Sequence, residues 1–553
     1  MSTFHGLEMA KQALFTQQMG LYTTGHNLSN VNTEGFSRQR VNFEAMSPFP
    51  SASRNRPSIP GQLGTGVMAG TVQRIRDAFL DSQYRTQNSK TAYWDTRATS
   101  LNRMENLLNE IDETGLSKTM NDFMTALDAL STRPDNTGGR EVAIQKGSIV
   151  AESFNHIANS LEQIQLDLKK QIGSLNAETG EYDGKIGDVN SLLRQINDLN
   201  KQIGEVEPLG YLPNDLYDRR DKLIDELSGI VNIKVDYETS GKGSLAIADG
   251  IAKITLADVK GNPITDSGGA PIALLKATDR SLADPEKELG KLTVSYNDVG
   301  AVTSIEFVKQ GESSQKIEDM MAVDGSLKAL IKSNGYVVGE NGVDKVVGDF
   351  PETLSKLNKL AQNFALAFNK IHKEAKDANG ENGMAFFTNG SKYDPANPNA
   401  LETNITAFNI SINQELSEHP DKLAISADGS AGDGQKALEL AKMFSKALTA
   451  EDIGGAAGDP EPFGKGISVT GYFQQIISKM AVDTQEANRR LVNDGVLQQK
   501  IQNDRLSVSA VSIDEEMTNL LKFQHAYNAS ARSMTAMDEI LDKIINSMGL
   551  VGR

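Results

Sequence analysis

Cysteine is absent from the 553 residues. Disulfides, thiolate zinc sites, iron–sulfur clusters and cysteine nucleophiles are therefore excluded together. Tryptophan occurs once, at Trp94, and aromatic residues make up 6% of the chain, so the expected cores are aliphatic and thin. No run of roughly 18 or more apolar residues is present, and no helical membrane insertion is expected. Basic residues are in deficit, 56 against 73 acidic, for a net charge of −17. Phosphate backbones need concentrated Lys and Arg, so no nucleic-acid partner is expected. Met1–Gly20 lacks the charged-then-apolar order of a cleaved secretory signal. That fits a cytosolic protein and equally one exported without cleavage.

Chemistry-bearing motifs are also wanting. The six histidines, His5, His26, His156, His372, His419 and His525, never stand three or four residues apart, which excludes a helical zinc pair. Gly64-Thr65-Gly66 has no third glycine at dinucleotide spacing. Gly464-Lys465-Gly466 lacks the upstream glycine and the hydroxyl residue of a phosphate loop. Asp377-Ala378-Asn379-Gly380 starts like a calcium loop, but Glu381 and Asn382 break the order. Gly466-Ile467-Ser468-Val469-Thr470 misses the serine-nucleophile elbow. No catalytic residue, metal or cofactor is assigned, and the chain is read as a non-enzyme. A hydrolase hidden in the middle of the chain is the competing reading.

What is present is helical periodicity. At roughly 150 residues per domain, 553 residues suggest three or four domains. Phe4, Leu7, Leu14, Leu21 and Leu28 form a narrow stripe on a 3–4 spacing, interrupted by Lys11, Gln18 and Gly25, closer to a coiled-coil seam than to a globular face. Asn30-Val31-Asn32-Thr33-Glu34-Gly35-Phe36 then predicts a turn with a positive φ. Residues 45–66, rich in Pro and Gly, read as extended loop. From about 72 to 230 the helical period returns in Leu101, Met104 and Leu108, in Met120, Phe123, Leu127 and Leu130, in Ile157, Leu161, Ile164 and Leu168, and in Ile186, Val189, Leu193, Ile196 and Ile203. Ile111 and Leu175 extend two of these series.

The period switches to two near 231. Val231, Ile233, Val235 and Tyr237 alternate with polar residues, as do Leu292, Val294 and Tyr296. Residues 236–350 read as a β-rich insert. Leu354, Leu357, Phe364, Phe368 and Ile371 form one more helix, 376–400 loop or short strands, and 467 to the end helix again. The last helix is read from Ile513 to Met548 without Gly or Pro, started by a capping box of Ser512 and Glu515. Its stripe is Ile513, Leu520, Phe523, Tyr527, Met534, Met537, Leu541, Ile544 and Met548. A rod of that length is not self-sufficient, because ordering its backbone costs more than one stripe returns. Both ends are therefore expected to order as a paired helical layer on assembly. An intramolecular coiled coil that closes a monomer is the alternative.

Leu28-Ser29-Asn30-Val31-Asn32-Thr33-Glu34-Gly35-Phe36-Ser37-Arg38-Gln39 resembles the N-terminal signature of bacterial flagellar axial proteins, the rod, hook and hook-associated family. Ser507-Val508-Ser509, Asp514-Glu515-Glu516-Met517 and Phe523-Gln524-His525-Ala526-Tyr527-Asn528-Ala529 resemble its C-terminus. Within the family, three interior segments look like the members at the junction of hook and filament. They are Gly64-Thr65-Gly66-Val67 with Ile75-Arg76-Asp77-Ala78-Phe79-Leu80, Leu130-Ser131-Thr132-Arg133-Pro134, and Pro213-Asn214-Asp215-Leu216 with Asp218-Arg219-Arg220-Asp221-Lys222-Leu223. The likeness covers about 1–235 and 465–553. The insert is matched by position only.

The resemblance implies a mainly α fold with a β-rich insert (α+β), elongated and multi-domain. Residues 1–70 and 507–553 would form a terminal helical core, the inner tube. Residues 71–235, 351–395 and 465–506 would form a long helical bundle, 236–350 an outer β domain, and 396–464 a mixed segment. The implied function is a structural layer between hook and filament, built through the paired terminal helices. Another axial protein of hook or rod type, or an adhesin displayed through the insert, is the alternative. Implied partners are copies of itself, hook protein, neighbouring junction protein and flagellin-type subunits, and a flagellar secretion chaperone on the C-terminal helix. Implied localisation is the extracellular flagellum, reached through the flagellar type III apparatus without a cleaved signal. The expected assembly interface is Phe4, Leu7, Leu14, Leu21, Leu28, Asn30, Asn32, Gly35 and Phe36, with Ile513, Leu520, Phe523, Tyr527, Met534, Met537, Leu541, Ile544 and Met548. For Asn30, Asn32 and Gly35 a plain helix stop explains the residues as well as a role in a joint between subunits.

Overall fold

The computed structural model describes residues 4–547, apart from 51–60, 110–114, 174–183, 267, 312–313, 318–320, 341–342, 392–397, 431 and 457. Helix α1 (His5–Ser29) leads into an antiparallel ribbon of β1 (Gln39–Ala45) and β2 (Val67–Arg74). Five helices follow, α2 (Ala78–Leu108), α3 (Leu116–Thr132), α4 (Thr137–Ile172), α5 (Gly184–Val206) and α6 (Asn214–Ile230). Then come β3 (Ile233–Glu238), β4 (Ile251–Leu256), β5 (Ala273–Leu275), a short α7 (Pro285–Glu288), β6 (Lys291–Tyr296), β7 (Val302–Val308) and β8 (Gln315–Lys316). Helix α8 (Ser326–Asn334) precedes a hairpin of β9 (Tyr336–Glu340) and β10 (Val343–Val347), and α9 (Asp349–Glu374) follows. β11 (Phe387–Thr388), β12 (Ser411–Ile412), α10 (Gln414–Glu418) and α11 (Gln435–Met443) fill the next stretch. Two long helices end the chain, α12 (Val469–Ser509) and α13 (Ile513–Asp542), the latter closing in a π turn at Lys543–Ser547.

The expected fold class is what the structure shows: mainly helical, with small sheets inserted and the terminal helices packed together. The starts of several helices follow local chemistry. Asp77 accepts from the amides of Phe79 and Leu80 at the head of α2, Asn136 from Gly139 at α4, and Ser468 from Gly471 at α12. The helical series read from sequence point inward: Leu101, Met104 and Leu108, Met120, Phe123 and Leu127, and Val189, Leu193 and Ile196 are all buried. Ile111 and Leu175 lie outside the described residues.

Two expectations are corrected. The core is neither purely aliphatic nor thin. Phe123, Phe154, Phe364, Phe368, Phe386, Phe387 and Phe444 pack into one wholly buried cluster, with ring centroids 4.7–6.2 Å apart. And the stretch read as extended loop is flanked by an antiparallel ribbon, so helix resumes only at Ala78 and not near 72. Gln39 pairs with Arg74 and Ala45 with Val67, with a bulge between Asn42 and Phe43.

The insert holds a three-stranded sheet, β3-β4-β5, and a five-stranded one ordered β10-β9-β7-β6 with β8 on β7. Helix α5 docks both by presenting asparagines as if they were strand residues. The Asn190 amide donates to Leu292 O at 2.9 Å and accepts from Leu292 N at 2.8 Å. Asn200 does the same to Ala252, at 2.9 and 3.1 Å. The buried apolar residues run without a break from the helices into both sheets.

Candidate assembly interface

Helices α1 and α13 pair antiparallel. A β-carbon added at Gly6 would lie 3.1 Å from the Met537 sulfur, and one at Gly20 would lie 3.1 Å from the Phe523 ring. At the joint end, the Asn27 amide donates to Glu516 Oε2 at 3.1 Å. Equal steps along both chains link these three pairs, so the register is continuous. The two glycines let the helices approach closely, since any side chain there would press on its partner. The ribbon lies against the pair: Thr16 Oγ1 donates to Val67 O at 3.1 Å, and the Phe43 ring meets Phe523 edge-on at 5.7 Å.

The expected interface residues divide. Leu7, Leu14, Leu21, Leu28, Leu520, Phe523 and Tyr527 are half-buried, and Leu541 alone is buried. Phe4 and Ile513 are 57% and 52% exposed, and Met534, Met537 and Ile544 are exposed as well. Met548 lies outside the described residues. Apolar side chains beyond the expected stripe also face solvent: Phe15, Met19 and Tyr22 on α1, and Met517, Leu521, Ile540 and Ile545 toward the end of the chain. The pair thus exposes large apolar side chains on its outside, among charged ones such as Lys522, Arg532 and Asp538. Exposed apolar side chains of this size and number suit further partners. The stripe positions fall partly along the seam and partly outside it, and they missed the further exposed apolar residues that lie between them.

Where the pair meets the helical body, the Asn-rich turn is fixed from several sides. The Asn30 amide group donates to His26 O at 3.0 Å and caps α1, and Gly35 adopts φ +84° in the turn that follows. The Phe36 ring stands edge-on to His26, and Asn32 is exposed at the tip. Lys222 of α6 holds Glu34 at 2.9 Å, and Asp218 accepts from the Ser37 amide at 2.9 Å. The capping box expected of Ser512 and Glu515 is not formed. The Ser512 side chain makes no cap bond to α13. Glu515 and its neighbour Glu516 are instead held by Arg38, at 2.6 and 2.8 Å.

Beneath the joint lies a buried ionic network, of which only Arg76, Asp218, Arg220 and Asp221 stand in the segments that carry the family likeness. Arg74 of β2 reaches Asp218 at 2.9 Å, Asp221 at 2.7 Å, and Asp249. Arg85 of α2 reaches Asp221 and Asp225 at 3.2 and 2.8 Å, and Arg76 reaches Asp81 at 2.6 Å. Arg505 of α12 closes the ring on Asp81 and Asp225 at 2.7 and 2.6 Å. Burial disfavours the Asp221 carboxylate, but Arg74, Arg76, Arg85 and Arg220 outweigh it and hold the group well below the usual range. Asp218 goes the other way: burial raises it more than Arg74 lowers it. Arg74, Arg76, Asp81, Arg85, Asp221 and Asp249 line a cavity of about 260 Å³. Among the described residues no His, Asp and Glu gather in a group that could hold a metal ion, and no helix is long and apolar enough to cross a membrane.

Residues 502–548 match the family described as "Flagellar basal body rod FlgEFG protein C-terminal". With both ends returning to one apolar helix pair beside a helical body, this defines a bacterial flagellar axial protein. Residues 101–387 match "Flagellar hook-associated protein FlgK helical domain". The chain is 40% identical to flagellar hook-associated protein 1 of Bacillus subtilis (strain 168), covering 100% of both, and 24% identical to that of Escherichia coli (strain K12), covering 97% of this chain and 98% of that one. It therefore belongs to the flagellar hook-associated protein 1 family. The solved flagellar hook junction protein FlgK from Burkholderia pseudomallei shares the fold, with a TM-score of 0.54 at 12% identity, over 77% of this chain and 100% of that one.

Proposed function

We propose that the chain is a structural subunit of the layer joining hook to filament, and that copies polymerise through the α1–α13 pair. The observation that carries this is the outer face of the pair, where Phe4, Tyr22, Leu521, Ile540 and Ile545 stand in solvent at one end of a molecule whose body has a complete core. Neighbouring copies and the hook-type and flagellin-type subunits above and below would cover that face through heterologous contacts. A chain with so apolar a C-terminal helix needs a holding partner before assembly, which supports a secretion chaperone on α13 and export in the unfolded state to the outside of the cell. In this reading residues 1–70 and 507–553 form the inner layer, 71–235, 351–395 and 465–506 the next, 236–350 the outside, and 396–464 a mixed loop and insert segment. The names carried by the relatives are those of structural proteins, in keeping with a role that needs no catalysis. The test is electron microscopy of a strain lacking the chain. Bare hooks with flagellin released into the medium are expected, and filaments of ordinary length would overturn the reading.

A further inference from the structure

We infer that Arg38 is a positioning residue, an ionic latch that sets the angle between the terminal helix pair and the helical body. The two end motifs that carry the family likeness, Ser37-Arg38-Gln39 and Asp514-Glu515-Glu516, meet at this residue. Its guanidinium spans Glu515 Oε2 at 2.6 Å and Glu516 Oε1 at 2.8 Å across the start of α13. Its backbone N–H donates to Ser509 O at 2.9 Å, the last residue of α12, and its carbonyl accepts from Ile75 N at 2.7 Å, between the ribbon and α2. One residue thus bonds to the ends or flanks of three elements, on both sides of the break at Ala510 and Val511 between the two long helices.

The second carboxylate is the firmer half. Glu516 is 2% exposed and also accepts from Asn27, whose carbonyl oxygen takes the Gln39 amide at 2.9 Å. Glu515 is mostly in solvent, where an ion pair contributes little. Helix α13 has no side-chain cap of its own and follows an extended Ala510, so its direction relative to α12 is fixed from outside. The planar fork of arginine meets two carboxylates at once, which a lysine point charge does not reproduce.

The absence of cysteine makes the test direct. Spin labels go on Tyr22→Cys of α1 and Asp95→Cys of α2, both exposed, in the full chain. Pulsed electron spin resonance then reads the distance between pair and body. The latch gives one narrow distribution in the parent, broadened about twofold by Arg38→Ala and by Glu516→Gln, less by Glu515→Gln, and partly restored by Arg38→Lys. Helix content by circular dichroism stays unchanged. A distribution in Arg38→Ala as narrow as the parent's would overturn the inference, as would a parent already that broad, or broadening that comes with loss of helix. Each of these leaves the hook–filament reading to be decided separately by the strain lacking the chain.

Discussion

His372 on α9 is wholly buried and neutral. Its Nδ1–H donates to Met384 O at 2.6 Å, and its Nε2 accepts from the Ala424 amide at 3.0 Å. Burial lowers its pKa to about 4, from an ordinary value of about 6.5. The unfolded chain therefore binds the proton first, and the stability from this site is full above about pH 6.5 and lost as pH falls toward 4. The loss approaches about 3 kcal/mol. Urea unfolding of the parent and of His372→Gln between pH 7 and 4 should show the parent losing that much more. Parallel pH curves would refute it. Asp221 makes a second residue-scale case. Asp221→Asn leaves Arg74 and Arg85 short of their buried carboxylate and should cost roughly 3–5 kcal/mol in the same assay. None of this was legible beforehand. Apolar periodicity ranks hydrophobic positions and is blind to which arginine meets which aspartate, so Arg76-Asp77 and Asp218-Arg219-Arg220-Asp221 stood in the sequence as likeness without a role.

Helices are the elements the sequence declared most clearly, because the 3.6-residue period survives wherever one face is buried. The ribbon was overlooked for a physical reason. Val41, Phe43 and Ala45 do alternate, but the register slips at Gly70, so Val72 shares a side with Ala69 and Val67, and Val67–Arg74 shows no clean period of two. The phenylalanine cluster escaped notice because a whole-chain aromatic share averages over 553 residues, whereas folding gathers seven of the 19 phenylalanines at one place. The asparagine docking of α5 had no pattern to betray it. Asn200→Ala should leave the Ala252 N–H and C=O unpaired in a dry interface and cost roughly 1–3 kcal/mol, measured by thermal or urea unfolding. An unchanged midpoint would refute the bidentate docking. On α13, Leu520→Asp with Tyr527→Asp should melt the terminal pair while the body of residues 78–230 keeps its helical signal and unfolding midpoint.

At the scale of the whole molecule, a body with a continuous core carries at one end a helix pair that leaves large apolar side chains exposed on its outside. That asymmetry was half legible. The stripes of α1 and α13 foretold a pairing of the chain ends, and the structure finds it within one chain. The outer face followed only once the register was known, since it is built from residues between the stripes. In the proposed layer this outer face joins neighbouring subunits. The most direct measurement replaces Leu521 and Ile540, both about half exposed, with aspartate in the strain lacking the parent chain, and images the hooks. The helix pair and the body should stay folded in the purified double variant by circular dichroism, while hooks remain bare and the variant accumulates in the medium. Filaments of normal length and number on those hooks would contradict the claim.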